Sequence, residues 1–377
     1  MKNIVLFGAS GNIGQQTLEI LKEHQDKFNL QAISIGKNVS KLNDILINFK
    51  SIKVVYSTNR LIDFENKYQH IKFITSDIEL LILDECDIVV NALSGFFGLK
   101  ITLNSIEKEK ILLNANKESF VVAGELINNL LSKKRQAKVY PLDSEHCAIF
   151  QCLEKNNCVS KIYLTASGGP FRNLTLDDTK KVTLQDALNH PNWNMGSKIT
   201  IDSATMLNKA FEILEAFYLF ANKNIEVLIH PASLIHSMVE FNDGSIKAQI
   251  SVPDMKQVIN YFLFYPNRMP FKNQKNLDFS TLINLELQKI DSNRFIPIKM
   301  AYECIEGFNS KAIGLNAANE VCVEAFLNKK ISFYQITQIV NKIFNSLEKI
   351  NYNNYNEIVS YDLKIRKLTI DLIEGEK

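Results

Sequence analysis

From residue 1 to about residue 142, short apolar runs alternate with stretches in which apolar residues recur every three or four positions. The runs are Ile4-Val5-Leu6-Phe7, Ala32-Ile33-Ser34-Ile35, Val54-Val55-Tyr56, Ile88-Val89-Val90, Ile111-Leu112-Leu113 and Val139-Tyr140. Continuous apolar runs separated by helical patterns are what strands buried on both faces require, so this part predicts a parallel sheet with crossover helices. The rhythm then changes. Lys161 to Thr165 and a run from Val227 to Phe241 read as strands, and Asp243-Gly244 followed by Ile246 to Val252 signals a hairpin. Pro266 to Asp278, with Pro270 and several Asn and Lys, has little periodicity and reads as a connecting segment. From Phe295 onward helical spacing returns (Val321 with Ala325; Ile336, Ile339, Val340 and Ile343), predicting a small bundle. The expected class is α/β: a parallel-sheet domain over 1–142, an α+β domain over 143–264, a linker over 265–290 and a helical domain over 291–377.

Composition narrows the picture. With 46% hydrophobic and 22% charged residues among 377, and only 14 Gly and 8 Pro, the chain has the balance of a folded protein of two or three domains. Forty-three Lys+Arg against 41 Asp+Glu leave +2, too close to neutral for a nucleic-acid or anionic-membrane binder acting through bulk charge. An anionic partner must therefore be met locally. Neither a spanning apolar run nor a signal segment is apparent, and the six cysteines form no Cys-x-x-Cys pair, so a cytoplasmic protein with reduced, buried thiols is expected. There is no internal repeat.

Directly after the first strand stands Gly8-Ala9-Ser10-Gly11-Asn12-Ile13-Gly14, with a helix expected from near Gln15. Glycines there permit a tight turn and let the backbone approach a pyrophosphate, which then sits on the helix N-terminus. This predicts a Rossmann-like dinucleotide site. The second strand ends Ser34-Ile35-Gly36-Lys37-Asn38, without the acid that an NAD-selective site places on the ribose. A Lys and an Asn suit a 2′-phosphate, so NADPH is expected over NADH.

Asp143-Ser144-Glu145 follows the last strand of this part, and in an extended chain the two carboxylates lie on one side. Asp202 to Glu212 reads as one capped helix with Asn208 and Glu212 on a shared face. Three acids suit Mg²⁺ or Mn²⁺, since hard cations favour oxygen ligands. Taken alone, however, Asp-Ser-Glu-His is also a helix start and a helical Glu is usually solvated; His146 is either a fourth ligand or part of that helix. The only Trp stands in His190-Pro191-Asn192-Trp193-Asn194-Met195-Gly196, an aperiodic segment that reads as a lid over a reacting centre. Ser167-Gly168-Gly169-Pro170, with Ser203, Asn208 and Lys209, offers hydroxyls, amides and one cation to a phosphate. His230 and His236 read, by themselves, as core histidines.

Collected in order, these segments resemble one family, the 1-deoxy-D-xylulose 5-phosphate reductoisomerases. The resemblance is nearly full-length and also takes in Asn114 to Ser119, Pro141 to Glu145, Ser167 to Phe171, His230 to Met238, Pro253-Asp254-Met255 and Leu315 to Glu320. It implies an NADPH-binding domain, a connective catalytic domain with a flexible loop, a C-terminal helical bundle and a homodimer. It also implies metal ligation by Asp143, Glu145 and Glu212, with Ser144 on the substrate backbone. The substrate phosphate would fall to Ser167, Ser203, Asn208, Lys209 and His190; Trp193 and Met195 would belong to the lid, and Lys117, His236 and Met255 would stand at the reacting centre. NADPH would meet Gly8, Ser10, Gly11, Asn12, Ile13, Gly36, Lys37, Asn38, Asn116 and Glu118. The implied reaction is the isomerisation and NADPH-dependent reduction of a small sugar phosphate, with a divalent cation.

The chain departs from the family pattern at Ser94 and Phe97, at Ser251-Val252 and at Gly307-Phe308, none of which is a metal or phosphate position. Two other readings compete. A semialdehyde-dehydrogenase-like enzyme would need a thiolate nucleophile, for which Cys147 is the nearest candidate, and a non-catalytic NADPH sensor would have no use for three acids and a Trp loop.

Overall fold

The computed structural model describes every residue except Leu176, Pro191, Asn194, Thr281, Leu282, Phe308, Asn309, Glu376 and Lys377. Pro191 and Asn194 of the Trp segment, and Phe308 of the Gly307-Phe308 departure, therefore lie outside the described residues. The chain divides into two compact units: Met1–Ser119 with Ile127–Cys147 and Asp254–Lys275, and Phe120–Leu126 with Ala148–Pro253 and Asn276–Lys377.

The strands of the first unit are β1 (Lys2–Phe7), β2 (Phe28–Ile35), β3 (Val54–Ser57), β4 (Lys72–Ile74), β5 (Ile88–Asn91), β6 (Ile111–Asn114) and β7 (Lys138–Pro141). They form one sheet in the order β4-β3-β2-β1-β5-β6-β7, and every pairing is parallel. Six of the seven were predicted. The seventh, β4, is three residues long with no fully buried position, too short for a periodic signal. The strands of the second unit are β8 (Val159–Ala166), β9 (Ile225–Ile229), β10 (Ile235–Phe241), β11 (Ile246–Ile250) and β12 (Gln288–Lys289), in the order β11-β10-β8-β9-β12. Here β8 and β9 are parallel and the other pairs antiparallel. Asp243-Gly244 does turn the β10–β11 hairpin, with Gly244 at φ +83°. The Val227–Phe241 run is split between β9 and β10 rather than being one strand.

The helices are α1 (Asn12–Glu23), α2 (Leu42–Asn48), α3 (Ile62–Lys67), α4 (Leu99–Glu107), α5 (Lys117–Lys133), α6 (Ser144–Cys152), α7 (Leu184–Leu188), α8 (Ser197–Thr205), α9 (Leu207–Phe220), α10 (Met255–Phe264), α11 (Ile296–Ile305), α12 (Lys311–Leu327), α13 (Phe333–Ser346) and α14 (Tyr355–Gly375). In the first unit α10 packs on α1, with the Phe264 ring edge-on to His24 and Phe28 at 4.8 and 5.1 Å. An apolar helix face must be buried somewhere, and α10 finds its partner next to β2 although it follows the hairpin in sequence. In the second unit α12 carries α13 and α14, α9 packs on α11, and Phe333 joins Phe171 to Phe326.

Two local expectations are corrected. Asp143-Ser144-Glu145 is not extended: β7 ends at Pro141, and the Cys147 amide already donates to the Asp143 carbonyl at 2.9 Å, so Ser144 and Glu145 form the first turn of α6. Asp202 to Glu212 is not one capped helix either. Met206 takes φ +65° and ψ 10°, separating α8 from α9, and Asp202 lies inside α8.

Candidate active site

The order of the first sheet reverses at β1, so the loops after β1 and β5 flank a switch point, where α/β sheets bind ligands. Gly8 sits there at φ +81°, and a Cβ on it would lie 2.5 Å from the Ala92 carbonyl oxygen. Gly14, in the first turn of α1, is closed in more tightly: its Cβ would stand 2.2 Å from the Gly8 oxygen and 2.8 Å from Ala9 Cα. Only hydrogen fits at either place, and the result is a glycine-lined cradle against the start of a twelve-residue helix. Ser34 steadies it, its hydroxyl accepting from the Gly8 amide and its carbonyl from the Ala9 amide, both at 2.9 Å. Gly11 and Asn12 are exposed, as are Lys37 and Asn38 beyond β2, with nothing within 4 Å of a Cβ built on Gly36. Asn38 holds its own turn, accepting from the Ser40 amide and hydroxyl.

Asn116 and Glu118, expected on the cofactor, are buried. The Asn116 amide donates to the carbonyls of Leu93 (3.0 Å) and Gly95 (2.8 Å) and its oxygen caps α5 at the Ser119 amide, so it pins the loop after β5. Gly98 is required beside it, since a Cβ there would fall 2.3 Å from the Asn116 side chain. Phe97 is 52% exposed and Ser94 is exposed, so neither departure disturbs the core.

Lys117 and Asp143, both almost buried, form an ion pair, and His146 Nδ1 lies 3.5 Å from the same carboxylate. Burial alone would raise the Asp143 pKa, but the Lys117 ammonium and His146 outweigh it and hold the carboxyl well below its ordinary value. The Glu145 amide donates to Asp143 and the Ser144 hydroxyl to Glu145 at 2.6 Å, so this helix start presents two carboxylates and a hydroxyl together.

In the second unit, several of the groups expected on the phosphate lie near the end of β8. Glu212 accepts from Asn208 Nδ2 on one oxygen and from the Lys209 ammonium on the other, and Lys209 also donates to the Thr165 carbonyl. Lys209 and Glu212 are 4% and 1% exposed. Two residues beyond Thr165, the Ser167 hydroxyl meets His190 Nε2 at 3.3 Å and accepts from the Gly169 amide. Gly169, at φ +69°, lies against α8: a Cβ on it would sit 3.0 Å from the Ser203 carbonyl. Ser167 and His190 thus touch each other and Asn208 and Lys209 meet at Glu212, while Gly169 brings the Ser167 turn close to the backbone of Ser203.

His190 Nδ1 accepts from the amides of Asn192 and Trp193 at 3.2 and 3.1 Å, which leaves the proton of a neutral ring on Nε2, facing Ser167. Burial lowers its pKa to about 4. The half-buried Trp193 ring lies 6.2 Å from that of His236, which is itself buried and hydrogen-bonds the Ser251 carbonyl. His230 is fully buried, with Nδ1 2.7 Å from the Glu286 carbonyl, the core role read from sequence. Met195 is half-buried, and Met255 opens α10 behind its cap Asp254. Sequence reasoning missed Arg294, which donates to the carbonyls of Phe171 and Arg172 just past the Ser167 turn; an isolated Arg over 100 residues away carries no local signal.

The glycine cradle at the switch point of a parallel sheet, with clustered carboxylates on the same chain, defines an α/β oxidoreductase that uses a dinucleotide. Three family models match: 1-deoxy-D-xylulose 5-phosphate reductoisomerase over residues 4–124, its C-terminal domain over 139–220, and the DXP reductoisomerase C-terminal domain over 250–368. The chain belongs to the 1-deoxy-D-xylulose 5-phosphate reductoisomerase family. The Clostridium perfringens (strain ATCC 13124) reductoisomerase is 43% identical over 379 residues, 97% of this chain and 98% of that protein, and the Geobacillus sp. (strain WCH70) one is 43% identical over 382 residues, 99% and 100%. Among solved structures, a DOX-P reductoisomerase complex with NADPH, fosmidomycin and magnesium superposes with a TM-score of 0.94 at 34% identity, covering 99% of this chain and 98% of that one. The Zymomonas mobilis enzyme with NADPH gives 0.89 at 35%, covering 99% of each.

Proposed function

We propose that this chain converts 1-deoxy-D-xylulose 5-phosphate into 2-C-methyl-D-erythritol 4-phosphate, using NADPH and Mg²⁺ or Mn²⁺. The observation that carries the reading is the Ser167–His190 contact beyond the end of β8, whose Thr165 carbonyl accepts from the Lys209 ammonium, in a family of this activity; Ser203 and Asn208 are assigned to the phosphate with them by the resemblance. The Gly8–Gly14 cradle fits a pyrophosphate, and Lys37 with Asn38 suits the 2′-phosphate of NADPH. Asp143, Glu145 and Glu212 are the proposed metal ligands, an all-oxygen set that fits a hard cation.

When bound, the cation polarises the substrate ketone and acidifies the neighbouring hydroxyl, and NADPH supplies the hydride. The chain does the rest. His190 presents Nε2–H to the phosphate, while the two seryl hydroxyls, Asn208 and Lys209 fix its position; these contacts lie away from the reacting carbons and supply orientation. Ser144 holds the substrate backbone, and Lys117 keeps Asp143 ionised beside the reacting centre. Trp193 and Met195 are the proposed lid, and His236 and Met255 are further proposed active-site residues, for a retro-aldol cleavage, aldol rejoining and reduction kept away from water. In this division of labour residues 1–142 bind NADPH, 143–264 carry the chemistry, 265–290 connect and 291–377 buttress.

The chain is further proposed to work as a homodimer in the cytoplasm. Supporting the first is β11, an edge strand with Ile246 and Ile250 exposed at 51% and 42%. Supporting the second are six unbridged cysteines and the lack, among the described residues, of a helix long and apolar enough to cross a membrane. The direct test is NADPH oxidation on adding 1-deoxy-D-xylulose 5-phosphate with Mn²⁺. Turnover is expected, with NADPH bound more tightly than NADH. Glu212→Gln is expected to abolish turnover and spare NADPH affinity; retained activity in that variant, or no turnover in the unaltered chain, overturns the reading.

A further inference from the structure

The helix α8 carries Ser203 yet has little in its own connections to fix its rotation about its axis. It begins at Ser197, directly after the Trp193 segment, and ends at the left-handed Met206. A nine-residue helix between a loop and a break is held by what it packs against. Its one buried acid is Asp202, 2% exposed and immediately before Ser203. Asp202 Oδ1 accepts from Asn319 Nδ2 at 2.8 Å, and Oδ2 pairs with Lys198 Nζ at 2.9 Å. Lys198 also stands 5.4 Å over the Phe211 ring of α9.

Asn319 is wholly buried on α12, and its oxygen has no hydrogen-bond partner among the described residues. A buried amide with half of its hydrogen-bonding capacity unmet is costly in a helix core, where an apolar residue would pack without penalty. What the amide does achieve is one charge-assisted bond, to Asp202.

We infer that Asn319 and Asp202 are positioning residues for the sugar-phosphate site: their bond sets the rotation of α8 and so directs Ser203, while Lys198 ties the start of α8, next to the Trp193 segment, to the same carboxylate. The inference rests on the proposed phosphate role of Ser203. It assigns to the C-terminal helices a specific duty in substrate binding in addition to support.

The test uses the full-length chain with NADPH and Mn²⁺, comparing Asn319→Leu, Asp202→Asn and the exchanged pair Asp202→Asn with Asn319→Asp. Both single variants are expected to raise KM for 1-deoxy-D-xylulose 5-phosphate by about tenfold to a hundredfold, as a displaced positioning group does, with NADPH affinity unchanged. The exchanged pair rebuilds an amide-to-carboxylate bond at the same place and is expected to recover most of the KM loss. Single variants that lose thermal stability but keep KM would show a purely structural bond and overturn the inference. So would an exchanged pair that folds and binds NADPH but is no better than Asn319→Leu. Failure of the unaltered chain to turn over that substrate would instead overturn the functional reading on which the inference stands.

Discussion

Among the glycines whose Cβ would meet backbone atoms, Gly14 is the most tightly enclosed. Replacing it by alanine puts a methyl carbon 2.2 Å from the Gly8 oxygen and 2.8 Å from Ala9 Cα, both backbone atoms that cannot rotate away. Ordinary contact needs about 3.5 Å, so the first turn of α1 must retreat from β1 by more than about an ångström. Overpacking of this kind costs about 1–3 kcal/mol in stability. The larger effect is on function, because the retreating turn carries the amides that form the cradle, and a displacement of about 1 Å at a positioning element can cost about a hundredfold. NADPH titration by fluorescence, alongside thermal melting, is the assay: Gly14→Ala is expected to weaken NADPH binding at least about tenfold and to lower the melting temperature. Gly11→Ala is the comparison, since its Cβ would stand 3.3 Å from the Gly8 oxygen at an ordinary φ of −78°, a contact relieved by a few tenths of an ångström, and it should lower the melt far less than Gly14→Ala. A Gly14→Ala chain that binds NADPH within about twofold of the unaltered one would refute the cradle.

Two further outcomes follow from the buried titratable groups. Lys117→Met leaves the Asp143 carboxylate buried without its cation, and denaturant unfolding should show a loss of about 3–5 kcal/mol; a loss under about 1 kcal/mol would mean that solvent already stabilises that charge. His190 is held neutral by burial, with a pKa of about 4 in the fold against an ordinary 6.5. The unfolded chain therefore takes up a proton below 6.5 that the native chain refuses until about 4, so stability falls as pH drops through that window. His190→Gln should remove up to one proton from that slope, measured as the pH dependence of unfolding between the two values; an unchanged slope would contradict the buried neutral ring.

What could be read from the sequence tracks what is local. The strands β1, β2, β3, β5 and β6 carry continuous apolar runs because both their faces are covered, and such runs stand out by themselves, whereas the edge strand β7 shows only Val139-Tyr140. The Gly8–Gly14 turn was legible for the same reason: the atoms it must avoid, the Gly8 oxygen and Ala9 Cα, lie within six residues of Gly14. Asp143 to Glu145 marks the limit, since Asp-Ser-Glu suits both an extended chain and a helix start, and the choice falls to the Cys147 amide bonding back to Asp143. The break at Met206 had no signal at all. A left-handed methionine is tolerated only where surrounding packing imposes it, and the helical pattern runs through it undisturbed. Contacts such as Arg294 to the Phe171 carbonyl and Asn319 to Asp202 join positions more than 100 residues apart, and no pattern along the chain encodes such pairs.

The charge balance acquires a physical meaning from the same contacts. A chain with a net charge of +2 cannot draw in a phosphate by its overall field, yet Lys117, Lys198 and Lys209 are each set against an acid in or beside the proposed site. Taking an isolated ammonium out of water is prohibitive, so burial of Lys117 and Lys209 demands those acids, and each such pair adds nothing to the net charge. A small net charge is therefore compatible with a buried, pre-organised polar site and does not argue against an anionic ligand. Bulk ions screen such groups far less than they screen surface lysines. The fixed dipoles near Lys209 (the Ser167 hydroxyl, the Gly169 amide and the oriented His190 ring) are already oriented by their own hydrogen bonds, so on the proposed reading they would meet the phosphate without reorganising.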